Sequence, residues 1–306
     1  MKKYRPIGHF IIHVLDSAVN VCIVTVLFFM FLSGLYILWY SNQIYTAAAS
    51  VNYTAYRPNT ESSLSFEELE KLNPEVFGWL NIYGTQIDYP IVQGEDNEKY
   101  LNTNAEGNYS LSGALFLDYE NSPDFSDYNS IIFGHHMDQG AMFGEIDLFK
   151  DQDFLDTHRY GSLYYNHSQY GLELVCYLDA DAYDTSVYGI LHSENGREEY
   201  LNNIIGKSLA KSDVSVFASD QLVLLSTCST TSTNGRHILV GRITEEVQPD
   251  TFIKEETINK GTGIDSGNSW IQYLRNLGGW IWIIPLFILV LIILLLLYRK
   301  KRRKDR

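Results

Sequence analysis

The stretch Leu222-Val-Leu-Leu-Ser-Thr-Cys-Ser-Thr-Thr-Ser-Thr-Asn-Gly-Arg-His-Ile-Leu-Val-Gly-Arg242 reads as two β-strands around a polar loop. Leu222–Leu225 is apolar and β-prone, and the run ends at Ser226-Thr-Cys228. His237–Ile243 is a second β-like run, opened by Arg236. Everything from Ser229 to Gly235 is small or polar, as a connecting loop requires. A hairpin between the runs brings Arg236 back beside Cys228. A thiol becomes a nucleophile as thiolate, and a nearby cation or base favours that form. Arg242 lies on the same face as Arg236 but six residues on, roughly 20 Å along a strand, too far to serve the same site.

Similar pieces recur upstream. Trp79–Tyr83, Ile87–Val92, Ala114–Leu117, Ser130–Phe133, Ser162–Tyr165 and Glu173–Leu178 are short β-like runs, and turn residues such as Gly84, Gly94, Gly107 and Gly113 punctuate them. Ser65-Phe-Glu-Glu68 is a capping box, which predicts a helix over Phe66–Leu72. The spacing of Ile146, Phe149 and Leu155 predicts a helix within Glu145–His158. Tyr200, Ile204 and Ile205 give Glu194–Lys211 a helical apolar face. No repeat is visible. Many short strands with a few helices make the chain mainly β, a closed or nearly closed barrel of about eight strands with helical insertions.

Two segments are long and apolar enough to span a bilayer, Ala18–Tyr40 and Trp280–Tyr298. Lys2, Lys3 and Arg5 precede the first, and seven basic residues follow the second within 299–306. Basic flanks stay cytoplasmic. The expected organisation is a cytoplasmic N-terminus (1–17), a span (18–40), a linker with a short helix (41–72), a catalytic-type domain (73–245), a stalk (246–279), a second span (280–298) and a basic cytoplasmic tail (299–306). The region between the spans carries 35 acidic and 13 basic residues. That balance argues against nucleic acid as a partner, and the basic tail suits anionic lipid headgroups. Ala47-Ala48-Ala49 resembles a signal-peptidase site; the apolar run before it is longer than a signal core, which favours a retained anchor.

The chain has three cysteines. Cys22 falls in the first span. Cys176 sits in the strand-like run Leu172–Leu178 and reads as a small core residue. The spacing fits no zinc motif. A Cys176–Cys228 disulfide is the bland alternative, and it would consume the thiol that the sequence presents. The second candidate partner for Cys228 is His135, at the end of the strand-like Ile131-Ile-Phe-Gly-His-His-Met137. Taken singly, each of these residues is ordinary. The acidic run Glu145, Asp147, Asp151 and Asp153 lacks the order of a calcium loop and reads as a solvated helix face.

Taken together, the motifs resemble the sortase family. Leu225-Ser-Thr-Cys228 followed by Arg236 resembles the active-site strand and loop. Phe133-Gly-His-His-Met137 with Met142-Phe-Gly144 is similar to the class B His segment. So are Phe77-Gly-Trp-Leu-Asn-Ile82, Asp88-Tyr-Pro-Ile-Val-Gln-Gly94, Tyr100-Leu-Asn102 and Asp124-Phe-Ser-Asp127. These matches run in order from about Asn73 to Ile243. Two features depart from the class B pattern. Gly-His-His stands where Gly-His-Asn is more usual, and a second span with a basic tail is more familiar in pilus-building class C enzymes. No aromatic lid motif of Asp-Pro-Trp type precedes Ser65.

The resemblance implies a cysteine transpeptidase. Cys228 would form a thioester with a sorting motif of a surface protein or pilin. An amine of the cell wall or a pilin lysine would then resolve it. His135, which directly follows the glycine, would be the acid and base, and Arg236 would stabilise the oxyanion or position the motif. No metal or cofactor is implied. The alternatives are a cysteine hydrolase and a catalytically silent, doubly anchored binding ectodomain. The charge pattern generates the first prediction: protease added to intact cells cuts within 41–279 and spares a tag placed after Arg306. Digestion of that tag from outside would sink the topology.

Overall fold

The computed structural model of the chain describes residues 7–58, 65–229 and 234–252. In chain order the elements are α1 (Ile7–Ala48), α2 (Phe66–Leu72), β1 (Val76–Ile82), β2 (Asp88–Val92), β3 (Leu115–Leu117), β4 (Asn129–Phe133), α3 (Gln152–Thr157), β5 (Tyr160–Tyr165) and β6 (Ser168–Asp181). Then come α4 (Thr185–Tyr188), α5 (Arg197–Lys207), β7 (Ala210–Lys211), β8 (Leu222–Cys228) and β9 (Gly235–Thr244). The strands form one sheet in the order β5-β1-β2-β3-β4-β8-β9-β6-β7, and β5 also pairs with β6. That last pairing closes eight strands into a barrel and leaves β7 as a short addition on β6.

All eight expected strands form. The apolar run that opens β8 is buried on both sides, which explains its unbroken hydrophobicity. Val223 and Leu225 join the main core, with Ile132, Leu239 and Tyr177. Leu222 and Leu224 face the other way, into a second cluster with Tyr200, Leu201 and Ile204 of α5. The α5 side is therefore the outside of the barrel, and the main core is its interior. Asn129 ties the α4–α5 insertion to β4. Its amide donates to Gly189 O at 2.9 Å, and its oxygen accepts from Leu191 N at 2.9 Å.

Three expectations need correction. The linker was to begin at 41, but α1 continues to Ala48 and a 3-10 turn follows over Ser50–Tyr56. The Asn52 amide satisfies the carbonyls of Thr46 and Ala47 at 2.8 and 3.1 Å, and Tyr89 Oη donates to Ala48 O at 2.9 Å. These groups cap the orphan carbonyls of the helix end. Glu145–His158 is two pieces, a 3-10 turn over Ile146–Lys150 and α3, because the Asp151 side chain accepts from Phe154 N and starts a new helix. Residues 194–211 end in strand β7, which pairs Cys176↔Lys211 and Tyr177↔Ala210. The capping box before α2 is present, with Ser65 N–H donating to Glu68 Oε2 at 3.0 Å.

α1 is long and apolar enough to cross a membrane by length and composition. The second span (280–298), the basic tail (299–306) and all of the stalk beyond Phe252 lie outside the described residues.

The loop after β4 is tightly folded. Met142 and Gln139 adopt φ values of 55° and 63°, positions where a side chain is strained. Met142 N–H is held by Tyr89 Oη at 3.0 Å, and Phe143 N–H donates to His135 O at 3.0 Å. A Cβ on Gly144 would run into the Met137 carbonyl oxygen. Gly144→Ala should therefore destabilise the protein by about 2 kcal/mol, read as a lowered denaturation midpoint. Wild-type stability in that variant would refute the close approach.

Candidate active site

The site follows from the pairing of three strands. β4 and β8 run parallel with Phe133 opposite Ser226, and Gly134 N–H extends the ladder by donating to Ser226 O at 3.1 Å. β8 and β9 run antiparallel with Cys228 opposite Arg236. The end of β8 thus lies between the end of β4, from which His135 emerges, and the start of β9.

Strand periodicity then sorts side chains by face. Ser226, Cys228, Ile238 and Arg236 share the outer face, the one covered by the α4–α5 insertion. Thr227 and His237 point into the barrel. Tyr188 at the end of α4 stacks on Phe133, with ring centroids 6.3 Å apart, and its hydroxyl meets Ser226 Oγ at 2.8 Å. Burial pushes the Tyr188 phenol up to about 12, offset in part by the Ser226 hydrogen bond and the Arg236 cation. Cys228 is exposed at the end of an otherwise buried strand. The hydrogen bond of the Arg236 guanidinium among the described residues goes to Gly235 O at 3.0 Å.

Past Phe133, the same alternation puts His135 on the Cys228 face and His136 behind it. His136 lies with its ring 6.0 Å from the interior His237 and its Nε2 3.6 Å from Asp147. The His135 Nε2 is 2.8 Å from Leu101 O, so its ring leans toward the segment that precedes β3. The structure therefore brings Cys228 and Arg236 side by side and sets His135 on the neighbouring strand end. Arg242 is at the other end of β8, opposite Leu222, in ion pairs with Glu173 and Asp220. Cys176 is on β6 opposite Val240, two strands across and four residues along from the level of Cys228. That separation, roughly 13 Å along the strands and 10 Å across, excludes a disulfide, and both thiols are free.

Sequence reasoning assigned no role to Tyr188, Ser226 or Leu101. Ser226 and Leu101 lie in motifs already quoted, so their position was visible although their contacts were not. Tyr188 sits in a four-residue helix with no periodic signal. Among the described residues no group of His, Cys, Asp and Glu gathers three potential metal ligands.

The fold is a closed eight-stranded barrel with an exposed thiol beside an arginine at its strand ends, and the comparisons place this barrel among the sortases. The family model described as the sortase domain matches residues 80–244. Sortase B of Listeria monocytogenes is 33% identical over 187 residues, spanning 60% of this chain and 76% of that one. Among solved structures, sortase B from the type II pilus of Streptococcus pneumoniae is 46% identical with a TM-score of 0.53, over 60% of this chain and 99% of that one. A Streptococcus pyogenes class B sortase involved in pilus biogenesis is 37% identical with a TM-score of 0.54, over 58% of this chain and 97% of that one. The chain belongs to the sortase family. It is a class B sortase, a cysteine transpeptidase.

The thiols of Cys176 and Cys228 should differ in reactivity. Cys176 is fully buried, and burial pushes its thiol up to about 12. Below that value it stays protonated, so at pH 8 it offers neither access nor thiolate. One equivalent of an alkylating reagent should label Cys228 and spare Cys176, as read by peptide mass mapping. Equal labelling would contradict the burial.

Proposed function

We propose that this sortase forms a thioester between Cys228 and the threonine carbonyl of a C-terminal sorting motif and passes the acyl group to an amine. The observation that carries the reading is the register that sets Cys228 opposite Arg236 on one outer face, with the His135 strand end beside them. Cys228 Sγ attacks the carbonyl carbon and a tetrahedral oxyanion forms. The C–N bond then breaks, and His135 delivers a proton to the departing amine. An incoming amine loses its proton to His135 and attacks the thioester, and Cys228 leaves as the thiolate, which restores the starting pair of thiolate and protonated His135. Arg236 carries donors that aim at the developing oxyanion or at the motif backbone.

The donor substrate is a surface protein or pilin bearing a sorting motif. The acceptor is a pilin lysine or a cell-wall peptide amine. The 46% and 37% identity with two pilus-associated class B sortases favours the pilin. The domain works outside the membrane, anchored by α1, with both termini cytoplasmic. Incubating the full-length enzyme in detergent with several sorting peptides and amine acceptors, and reading products by mass, tests the reading. Acyl–amine conjugates support a transpeptidase, and cleavage without conjugates would make it a hydrolase.

Cys228→Ala should abolish both cleavage and ligation. Arg236→Lys keeps charge but loses the planar fork, and turnover should fall by roughly 10²-fold, the scale of one oxyanion donor. His135→Ala should be as damaging. If turnover survives His135→Ala and dies in His136→Ala, the assignment between the adjacent histidines is reversed. Ligation by Cys228→Ala would overturn the thioester on Cys228, and absence of any product from the wild-type enzyme would favour the silent-ectodomain alternative.

A further inference from the structure

Arg236 has a hydrogen-bond partner in the carbonyl of the residue just before it. That bond links the guanidinium to its own strand and does not tie it to another element. Among the described residues, its direction therefore follows the backbone where β9 begins. That point is vulnerable, because β9 starts immediately after the six-residue polar stretch 229–234, and the first residues of a hairpin strand fray readily. The feature that distinguishes it from the rest of β9 is the next side chain, on the other face of the sheet.

His237 is 6% exposed and lies inside the barrel, where Leu239 continues the same face as ordinary core. It is paired across the sheet with Asp179 on β6 and with Thr227 on β8. Its Nδ1 is 2.8 Å from Asp179 Oδ1 and 2.6 Å from Tyr177 Oη, and the Tyr177 hydroxyl donates to the same Asp179 oxygen at 2.6 Å. Lys150, from the 3-10 turn before α3, meets the other Asp179 oxygen at 3.3 Å. Burial raises the Asp179 carboxyl, but the bonds from Tyr177 and His237 outweigh it, and the group is held below its ordinary value. Asp179 is thus an anion that only accepts, which fixes the proton on His237 Nδ1.

We propose that His237, locked by Asp179 and Tyr177 on the interior face, is a positioning residue that aims Arg236 on the exterior face. The proposal rests on the role given to Arg236 above. Successive strand residues point to opposite faces, so fixing one side chain inward fixes its neighbour outward. An apolar residue would satisfy the packing at 237 as Leu239 does two places on. A hydrogen-bonded trio instead requires one geometry, because a partly satisfied buried polar group is costly. The trio holds the strand start to a single orientation at the point where an aimed guanidinium is needed.

Full-length enzyme in detergent, assayed with a sorting peptide and an amine acceptor, tests this. His237→Ala should lower kcat by roughly 10-fold or more, the scale of a small misplacement of an aimed group, with less change in KM. Tyr177→Phe removes a hydroxyl and no volume, and should lower kcat in the same direction even if His237→Ala folds poorly. His237→Asn keeps an amide donor and should recover part of the loss. Val223→Ala, an interior change at the far end of β8, should lower the melting temperature without lowering kcat. On an Arg236→Lys background, His237→Ala should cause little additional loss, since both act through one group. Unchanged kcat in both His237→Ala and Tyr177→Phe, or full additivity with Arg236→Lys, would overturn the brace. Full turnover by Arg236→Lys itself would instead overturn the role of Arg236, so the two failures are distinguishable.

Discussion

The register of β4, β8 and β9 is the constraint on which the rest of this sortase depends. Strand side chains alternate with a period of two, so a one-residue slip would exchange every inward and outward position. In the observed register Cys228 and Arg236 emerge together on the outer face. A slip of β9 by one residue would put His237 beside the thiol and bury the arginine charge in the barrel, an outcome that desolvation makes expensive. The register is enforced by burial on both faces, with Leu225 and Leu239 inside and Leu224 and Val240 outside, all at 0% exposure. Losing one such leucine costs about 2–5 kcal/mol. A single neutral hydrogen bond contributes nearer 1 kcal/mol. Apolar packing along the strands therefore fixes where the polar ends meet.

Polar contacts take over where packing has no direction to give. The α4–α5 insertion carries Tyr188 over the outer face, and an apolar helix can slide on a sheet with little penalty. Asn129 removes that freedom by bonding Gly189, Leu191 and Tyr200 from a fully buried position at the start of β4. His192 Nδ1 adds a hydrogen bond to Asp127 Oδ1, at 2.7 Å. Burial raises the Asp127 carboxyl, but the bonds from Ser122 N–H, Asn121 and His192 outweigh it and hold it below its ordinary value. The insertion is thereby referenced to β4, the same strand that delivers His135.

The strands were legible in the sequence because each is a short run of apolar or β-branched residues closed by turn residues. The pair Cys228 and Arg236 was legible because a hairpin of known loop length has few ways to pair its ends. What escaped was structure created by single side chains at a distance. The helix break at Asp151 depends on one carboxylate choosing Phe154 N–H as its partner. The extension of α1 to Ala48 depends on Asn52 and Tyr89, one of them 41 residues away. β7 is two residues long, and it is a strand only because β6 runs beside it. Leu101 escaped for the same reason, since its carbonyl meets His135 across 34 residues.

The segment after β4 shows how these levels combine at the site. It leaves the sheet at Gly134, where a Cβ would press into Leu115 and Phe143, and it returns through Met142 in a strained left-handed conformation. Strain of this kind costs on the order of 1–3 kcal/mol and persists only where surroundings over-determine it. Those surroundings are the Tyr89 hydroxyl, which accepts from Met142 N–H and donates to Ala48 O, and Tyr45, whose hydroxyl donates to Asp138 at 3.1 Å. Ala48 and Tyr53 are buried against this region. The end of the N-terminal helix is therefore part of what holds the His135 loop in shape. A chain that began after it would lose both the acceptor for Tyr89 and the partner of Asp138, while every strand of the barrel kept its pairing.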